Sequence, residues 1–342
     1  MLHSKLKPSG MVTLYFCLVA TFFVVYFAFY KSLMGSPVVA EWWLGSSINK
    51  KEMLLSDIKE KQRIIVVSGS NSLFGFDTKL IEEHTGIKAF NFGMHAGLDM
   101  DFLRFETEKV IRKGDIVIMP LEYSYYYTEK GYSEWFIENV LSWGQDYFSG
   151  LGLFDTINMV IHTPVSFIAK QASAPKRGVT DDVETIRKMQ LDGVYRGYSY
   201  KSLNNYGDIT PPDESTALVK GYKESPKKNE RTLSYTSGTK VSEYTLTKLK
   251  EIDSYTKRIG ATLYVTWPVS MSTAYFNSSN SSSIKDIASI KKALDDAGIQ
   301  VICDPFSFNL SPDLFYDTHY HLNSAGQKVR SSKLAECIKQ EL

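Results

Sequence analysis

The chain has 342 residues, enough for one large hydrophobic core and a second, smaller one. Its 39 Lys and Arg residues nearly balance its 38 Asp and Glu residues, and the formal net charge of +1 argues against a nucleic-acid-binding protein. Aromatic residues make up 13% of the chain, and the 21 tyrosines suit the binding of sugars or of a partner protein as well as a core.

The first predicted element is a transmembrane helix. Residues 11–30 carry no charge, and about 20 apolar residues at about 1.5 Å per residue match a hydrocarbon core of about 30 Å. A cleaved signal peptide would need a shorter apolar region with a small-residue site close behind it. The only candidate site, at 38–40, lies too far downstream. We therefore predict an anchor over residues 11–33.

The lysines that flank this segment predict its orientation. Lys5 and Lys7 precede it, whereas only Lys31 follows closely, and positive charge is enriched on the cytoplasmic side. We expect residues 1–10 to be a cytoplasmic tail and the main domain to be extracytoplasmic. Residues 34–62 are expected to form a stalk or approach helix, because residues 47–62 combine helical spacing with many charges.

A strand, a tight turn and the start of a helix are predicted within residues 63–77. Ile64 to Val67 form a short β-branched run typical of a buried parallel strand, and Gly69 permits a sharp turn. A serine at such a turn lies at the carboxyl end of a strand, where α/β folds place nucleophiles. The alternative is that Ser68, Ser70 and Ser72 only cap the helix.

Strands and helices alternate through most of the remaining chain. Strands are predicted at 87–92, 115–120, 262–267 and 299–303, and helices at 73–84, 99–112, 241–258 and 284–297. This alternation predicts an α/β fold with a parallel sheet flanked by helices. His95 follows the second strand, and we expect it to be a structural, hydrogen-bonded residue.

Residues 124–240 interrupt the alternation and are predicted to be a large, mostly helical and irregular insertion. Its first part is apolar with a helical pattern, whereas residues 171–240 are polar and lack periodicity. The insertion either lies over the site and selects the substrate or forms a helical subdomain that covers the sheet edge. We expect deletion of residues 171–240 to preserve most of the thermal transition, because they lack a periodic apolar face.

Two residues in the loop before the last helix complete a candidate catalytic set. Asp317 and His321 lie there, followed by Leu322-Asn323 and Gly326. An Asp can orient a His, which then takes the proton of a serine, provided that the three groups meet in the fold. His319 is the competing base, and the HLN-x-x-G pattern favours His321.

With this pair, the chain resembles the SGNH (GDSL-like) hydrolase superfamily from residue 64 to the C-terminus. Ser68-Gly69-Ser70 stands in the place of Gly-Asp-Ser, so the resemblance implies Ser70 as nucleophile, His321 as base and Asp317 as its partner. It also implies a flavodoxin-like arrangement of the sheet. Asp317 is four residues before His321, whereas the family usually has three. The Gly-x-Asn-Asp block is absent, and residues 120–123 read PLEY at its place.

The resemblance also implies the groups that stabilise the oxyanion. The second block, residues 91–97, offers the backbone N–H of Gly93 or of Gly97, and the choice between them stays open. The missing block removes one donor, and such a loss costs about 2.7–4 kcal/mol where a donor has been deleted elsewhere. Asn71 is a possible substitute.

The closest similarity is to membrane-anchored members, namely the alginate-type O-acetyltransferases and the SGNH-like protein of teichoic-acid D-alanylation. They imply extracytoplasmic acyl transfer or ester cleavage on a cell-envelope polysaccharide, with a membrane-bound O-acyltransferase as a possible acyl donor. The alternative is a catalytically inactive partner that binds a glycan or such an acyltransferase. No cofactor or metal is expected, because the chain has no phosphate loop and no Cys/His grouping with metal spacing.

The three cysteines predict little. Cys17 lies in the apolar segment, while Cys303 ends the last predicted strand and Cys337 lies on the last helix. We expect Cys303 and Cys337 to be unpaired, because a domain of this size does not need a single bridge.

Overall fold

The computed structural model describes residues 8–36, 38, 40–174, 198–236 and 240–342. The chain divides into two compact units. The smaller contains the described residues of Met1–Trp42 and Tyr132–Lys188, and the larger those of Trp43–Gly131 and Met189–Leu342. Residues 132–174 of the predicted insertion thus fall in the same unit as the apolar N-terminal helix.

The strands of the described residues are β1 (Arg63–Val66), β2 (Lys88–Asn91), β3 (Ile116–Pro120), β4 (Thr262–Thr266), β5 (Ser270–Met271) and β6 (Asn309–Leu310). The α-helices are α1 (Pro8–Leu33), α2 (Trp42–Asp57), α3 (Ser70–Leu73), α4 (Thr78–Thr85), α5 (Met100–Val110), α6 (Glu134–Trp143), α7 (Gln145–Gly150), α8 (Leu153–His162), α9 (Val165–Ser173), α10 (Ala217–Glu224), α11 (Glu230–Leu233), α12 (Glu243–Ile259), α13 (Ser281–Asp296) and α14 (Ser324–Glu341). Short 3₁₀ turns occur at Tyr123–Tyr127, Tyr200–Ser202, Pro226–Asn229 and Pro312–Leu314.

The larger unit is built on a parallel sheet of four strands in the order β2-β1-β3-β4, which confirms the predicted α/β architecture. In the register, Ile65 lies opposite Phe90 on one side and Val117 on the other. Strands β1 and β3 are buried along their whole length, as expected of parallel strands covered on both faces. The strand predicted at 299–303 is reduced to one parallel bridge between Val265 and Val301.

Two pairs of helices flank this sheet. Helix α4 packs with α14 and contacts β2, while α5 packs with α12, which contacts β4. The helix predicted at 73–84 is divided in two, because α3 ends at Leu73 and Asp77 caps the start of α4 by accepting from Leu80 N. At the break, a Cβ on Gly75 would lie 1.8 Å from Asn71 O, so only glycine permits this close approach.

Helix α2 directly precedes β1, where the stalk or approach helix was expected, and it is packed in the larger unit. Trp43, Leu44, Ile48 and Leu55 are at most 3% exposed. Lys51, one of the charged residues of the segment 47–62, is 1% exposed. The number of charges in this segment did not indicate exposure here, because the long side chain of Lys51 reaches the backbone oxygens of Asn91 and Gly93 inside the protein.

The second part of the predicted insertion contributes to the hydrophobic core of the larger unit. Val219 and Leu233 are fully buried and cluster with Phe315 and Leu322 next to the Asp317–His321 loop. The burial of residues from this segment argues against the expectation that residues 171–240 are dispensable for folding. Residues 175–197 and 237–239 of that range lie outside the described residues. Val219 and Tyr222, three residues apart on α10, form a short apolar face that packs in this core.

Cys303 and Cys337 form a disulfide, with Cα atoms 5.4 Å apart and a sequence separation of 34. This corrects the prediction of unpaired thiols. Domain size indicates whether a disulfide is needed for stability, but not whether two cysteines lie close together in the fold. The fold instead brings Cys303, two residues after the Val301 bridge, next to Cys337 of α14, within the distance at which cysteines pair.

The smaller unit contains α1 and four short helices, α6 to α9. The most apolar 18-residue stretch within Ser9–Leu33 of α1 has a mean hydropathy of 2.2, and the helix is long and apolar enough to cross a membrane. Near its end, Tyr30 is 1% exposed, its hydroxyl lies 2.8 Å from Thr163 Oγ1, and its ring centroid lies 5.7 Å from that of Phe148. The apolar helix thus ends inside a packed helical unit.

Candidate active site

The loop between the last 3₁₀ turn and α14 holds Asp317 and His321 in a tight hairpin. An antiparallel bridge joins Phe315 to Leu322, and Tyr316 N donates to His321 O at 2.9 Å. Within the loop, the hydroxyl of Thr318 accepts from His321 N at 3.1 Å. Thr318 therefore fixes the backbone of the loop.

Asp317 and His321 are in direct contact. His321 Nδ1 lies 2.8 Å from Asp317 Oδ1, and their side chains are 6% and 17% exposed. A carboxylate at Nδ1 favours the tautomer that carries its proton there, which leaves Nε2 as the basic nitrogen. The arrangement can therefore orient His321 as a general base.

Tyr198 is a third member of this contact that the sequence did not indicate. Its hydroxyl donates to Asp317 Oδ2 at 3.1 Å and lies 3.2 Å from His321 Nδ1. Its ring packs edge-on against Trp43 of α2, with centroids 5.4 Å apart. Tyr198 belongs to the irregular insertion, where no periodic pattern marks a residue for a site.

Ser70 begins α3 at the carboxyl end of β1 and is 8% exposed. Its carbonyl accepts from Phe74 N at 3.0 Å. Within the part of the chain that the structure describes, its hydroxyl has no hydrogen-bond partner. The structure thus does not join Ser70 to His321 by a hydrogen bond.

Phe74 links the serine turn to the histidine loop. Phe74 is the residue that directly follows α3, the short helix that begins with Ser70. This ring stacks on His321 with centroids 4.5 Å apart, and it also contacts Tyr198 at 4.9 Å. Phe74 therefore connects the turn that carries Ser70, through its backbone, with the histidine loop, through its ring.

His95, after β2, lies close enough to His321 for the two to influence each other electrostatically. Burial, together with His321, lowers the pKa of His95 to about 4, so its ring is neutral at pH 7. Its Nδ1 accepts from Gly97 N at 3.0 Å. This hydrogen bond agrees with the structural role expected for His95, and the proximity places the second block beside the histidine loop.

Both glycines proposed as oxyanion donors are engaged within the protein. The N–H of Gly93 donates to Asn91 Oδ1 at 2.8 Å, while that of Gly97 donates to His95. A Cβ on Gly93 would lie 2.4 Å from Leu73 N, so this glycine permits close packing of the second block on α3. Neither N–H is free to bind an oxyanion in this arrangement.

Glu122, directly after β3, organises the serine turn. The residue is 1% exposed, and its Oε2 accepts from Ser68 Oγ at 2.9 Å and from Gly69 N at 3.2 Å. Its Oε1 accepts from Asn71 N at 2.9 Å. A Cβ on Gly69 would lie 2.4 Å from Glu122 Oε1, which explains the glycine. The sequence feature that could have pointed to Glu122 is its position: a carboxylate directly after a strand, at the carboxyl edge of the sheet, where the absent Gly-x-Asn-Asp block was expected.

Asn71, the proposed substitute donor, is fully buried and has both amide hydrogens engaged. Its Nδ2 donates to Ser68 Oγ at 3.0 Å and to Pro120 O at 2.9 Å. Arg330 of α14 donates to Asn71 O at 2.6 Å and to Asn71 Oδ1 at 2.7 Å. Burial lowers the pKa of Arg330 to about 9 against the opposing effect of Glu122, so Arg330 stays charged at pH 7. Nothing in the sequence marked Arg330.

Ser72 and His319, the alternatives considered from sequence, lie in other surroundings. Ser72 is fully buried, and its carbonyl accepts from Asn91 Nδ2 at 2.7 Å. The His319 ring packs against Tyr235 and Tyr320, with centroids 5.3 and 4.6 Å away. Burial, with a smaller effect of His321, lowers the pKa of His319 to about 4.

A cleft of about 340 Å³ adjoins Phe74 in the larger unit. It is lined by Phe74, Ser202, Ile209, Thr210, Pro211, Pro212 and Tyr316. Tyr316 is the residue before Asp317, so the cleft shares its wall with the histidine loop. In the described ranges no group of three or more His, Cys, Asp or Glu side chains could hold a metal ion.

No protein-family model matches this chain, and no curated protein matches it. Among solved structures, one match is the C-terminal domain of glucosamine-fructose-6-phosphate aminotransferase from Francisella tularensis. The two share 10% identity over 87% of this chain and 93% of that domain, with a TM-score of 0.15. A likeness at this level carries no argument about fold or function.

Proposed function

We propose that this chain is an SGNH-like serine acyltransferase or esterase that acts on acyl esters of a cell-envelope polysaccharide outside the cytoplasm. The observation that carries the proposal is the contact of Asp317 with His321 Nδ1 next to Phe74, on the turn that begins with Ser70. The strand order β2-β1-β3-β4 supports it, because flavodoxin-like sheets begin with this order and bind ligands at the carboxyl edge.

In this mechanism Ser70 Oγ attacks the acyl carbonyl and His321 Nε2 takes the serine proton. Asp317 stabilises the resulting imidazolium. His321 then returns the proton to the leaving oxygen as the ester bond breaks, which leaves an acyl group on Ser70. In the second half, His321 takes a proton from a sugar hydroxyl or from water, whose oxygen attacks the acyl-serine and releases the product. Exclusion of water would decide between transfer and hydrolysis.

The N–H groups of Ser70 and Ala96 are the best donors for the oxyanion. Among the described residues neither has an acceptor, in contrast to the engaged N–H groups of Gly93 and Gly97. Ala96 N lies 2.8 Å from the point that a Cβ on Gly69 would occupy, and is therefore adjacent to the serine turn. Two backbone N–H groups form a sufficient oxyanion hole in other acyl-transfer enzymes.

The cleft next to Phe74 is the proposed place of the sugar substrate. Its volume of about 340 Å³ is within the range of about 300–1,000 Å³ typical of small-ligand sites. Aromatic and proline side chains offer apolar surface to a sugar ring, and the hydroxyl groups of Ser202 and Thr210 offer hydrogen bonds. Both hydroxyls come from the insertion, which supports its proposed role in substrate choice.

Helix α1 is the proposed membrane anchor, with the N-terminus in the cytoplasm and a membrane-bound O-acyltransferase as a possible acyl donor. Its length and hydropathy support a span, and the lysine distribution supports the orientation. A reporter fused after Leu342 should be active only outside the cytoplasm. Protection of this end from protease added to spheroplasts would contradict the orientation.

Covalent trapping with a fluorophosphonate tests the chemistry. We expect the full-length protein in detergent to be labelled once, on Ser70, and the Ser70→Ala variant to remain unlabelled. Ser72→Ala is the matched control, two residues away on the same turn, and should be labelled like the parent chain. Equal labelling of the Ser70→Ala variant, or no labelling of folded parent protein, would contradict the catalytic proposal.

A second candidate function is a non-catalytic partner that binds the glycan or a membrane-bound acyltransferase. It is favoured by the lack of a hydrogen bond between Ser70 and His321 and by the engagement of the Gly93 and Gly97 N–H groups. Under this function, cells carrying Ser70→Ala would modify their polysaccharide fully. Loss of modification in those cells, with normal amounts of protein, would exclude it.

A further inference from the structure

Among the described residues outside α1, five of the ten exposed large apolar side chains lie on one short segment of the smaller unit. Leu153, Phe154, Ile157, Ile161 and Val165 are 72%, 86%, 49%, 68% and 80% exposed. The first four belong to α8, and the last begins α9. Contiguous apolar surface of this kind in water usually marks a site of contact with another molecule or with a membrane.

Helix α8 has three distinct faces. At about 100° per residue, Leu153, Phe154, Ile157 and Ile161 fall within an arc of about 100°. We call these four side chains the apolar face of α8. The next face around the helix is polar and consists of Asp155, Asn158 and His162. The remaining face is buried in the unit and consists of Thr156, Met159 and Val160. The exposed apolar face is therefore not the side that packs in the protein.

This face adjoins the end of the apolar helix α1. Thr163, which directly follows α8, bonds to the Tyr30 hydroxyl at 2.8 Å in the last turns of α1. Helix α9 also packs against α1. In the preceding turn of α1, Phe27 stacks on Phe148, with ring centroids 6.2 Å apart. The apolar face of α8 thus begins where the exposed apolar surface of α1 ends.

We propose that the apolar face of α8 lies in the lipid bilayer, at the interface from which α1 emerges. The proposal rests on the proposed membrane anchoring of α1 and is independent of the acyl chemistry. A helix with one apolar and one polar face lies in the plane of the interface, with the apolar side chains about 5–10 Å deep among headgroups and acyl chains. Continuity with α1 favours lipid over a soluble partner, because Tyr30 and Thr163 hold the end of α8 at the end of the span.

Labelling of single cysteines with a membrane-impermeant maleimide tests this placement. The full-length chain with Cys17→Ser is reconstituted singly into nanodiscs of phosphatidylcholine and phosphatidylglycerol, which leaves both membrane sides open to the reagent. Phe154→Cys and Ile157→Cys probe the apolar face, and His162→Cys probes the polar face of the same helix. Val24→Cys, 68% exposed in α1, reports whether α1 itself lies in the bilayer.

We expect Phe154→Cys and Ile157→Cys to react at least about tenfold more slowly than His162→Cys, because burying an apolar side chain of this size favours the lipid by a factor of this order. If Val24→Cys is protected while both probes react as fast as His162→Cys, the inference about α8 is overturned and the anchor stands. Rapid labelling of Val24→Cys would overturn the anchor and, with it, this inference.

A second measurement separates lipid from protein as the occupant. Benzoyl-phenylalanine at position 154 is expected to give a phospholipid adduct on irradiation, detected as the mass of one lipid added to the chain. A cross-link within the chain instead of a lipid adduct would overturn the proposal. So would protection of Phe154→Cys that appears only in discs holding two chains, because a second copy would then cover the face.

Discussion

Arg330 of α14 donates a hydrogen bond of 2.6 Å to the backbone oxygen of Asn71, although 259 positions separate the two residues. From the opposite side, Glu122 after β3 accepts from the N–H of the same asparagine. The turn that carries Ser70 is therefore held by groups from two distant segments. All four residues are buried, so the position of Ser70 depends on a fully formed α/β domain.

Glu122→Gln should loosen this turn. An amide can accept at its oxygen only, so at least one of the three donors now bound by Glu122 would face an NH₂ group. We expect a loss of about 1–3 kcal/mol in the free energy of unfolding, the cost of an unpaired buried polar group. Denaturant unfolding measures it, with exposed Glu336→Gln as control. Equal stability of both variants would show that Glu122 does not hold the turn.

Tyr198→Phe should slow fluorophosphonate labelling of Ser70 without unfolding the protein. The substitution removes the hydroxyl that bonds Asp317 and approaches His321 Nδ1. If the lost hydrogen bond raises the activation free energy of labelling by about 1–1.5 kcal/mol, the labelling rate falls about tenfold. Tyr200→Phe, two residues away, is the matched control. A normal labelling rate in Tyr198→Phe would show that Asp317 alone orients the histidine.

Lys51 should make the protein more stable as the pH rises above neutrality. Its Nζ donates to Asn91 O at 2.9 Å and to Gly93 O at 2.7 Å, and burial lowers its pKa to about 7 despite the opposing charge of Asp208. Between this value and its unfolded pKa of 10.5, the unfolded chain binds a proton that the folded chain lacks. The free energy of unfolding therefore gains from Lys51 as the pH rises from about 7 to about 10.

Thermal unfolding at a series of pH values checks this contribution. Lys51→Met should be less stable overall, because two backbone oxygens lose their donor, and it should lack this part of the rise. Lys50→Met is the neighbouring control and should keep it. A parallel pH dependence of the Lys51→Met variant and the parent chain would contradict the assignment.

The described part of the insertion should matter for stability. Leu233 is fully buried in the core cluster of the larger unit, and Leu233→Ala is expected to cost about 2–5 kcal/mol. Leu218→Ala in the same segment is the control, because Leu218 is 54% exposed and should change stability by less than about 0.5 kcal/mol. Denaturant unfolding compares the two. Similar values for both variants would restore the view that this segment is dispensable.

The sequence determined those features that depend on neighbours along the chain. Runs such as Ile64 to Val67 are short, β-branched and fully apolar, and they became the buried parallel strands β1 and β3. The uncharged residues 11–30 likewise became part of helix α1, because a long apolar run is also a feature of neighbouring residues in sequence. Asp317 and His321 were also predictable as partners, because they are four residues apart in one loop.

Only the tertiary structure decided what depends on distant residues. Glu122 and Arg330 reach the Ser70 turn from β3 and α14, Tyr198 reaches His321 from an irregular insertion, and Cys303 meets Cys337 across 34 residues. The physical reason is that burial compels each polar group to find a partner, and which partner lies within reach is set by the packed fold. For the same reason the N–H groups of Gly93 and Gly97, which the sequence offered to an oxyanion, are already engaged within the protein.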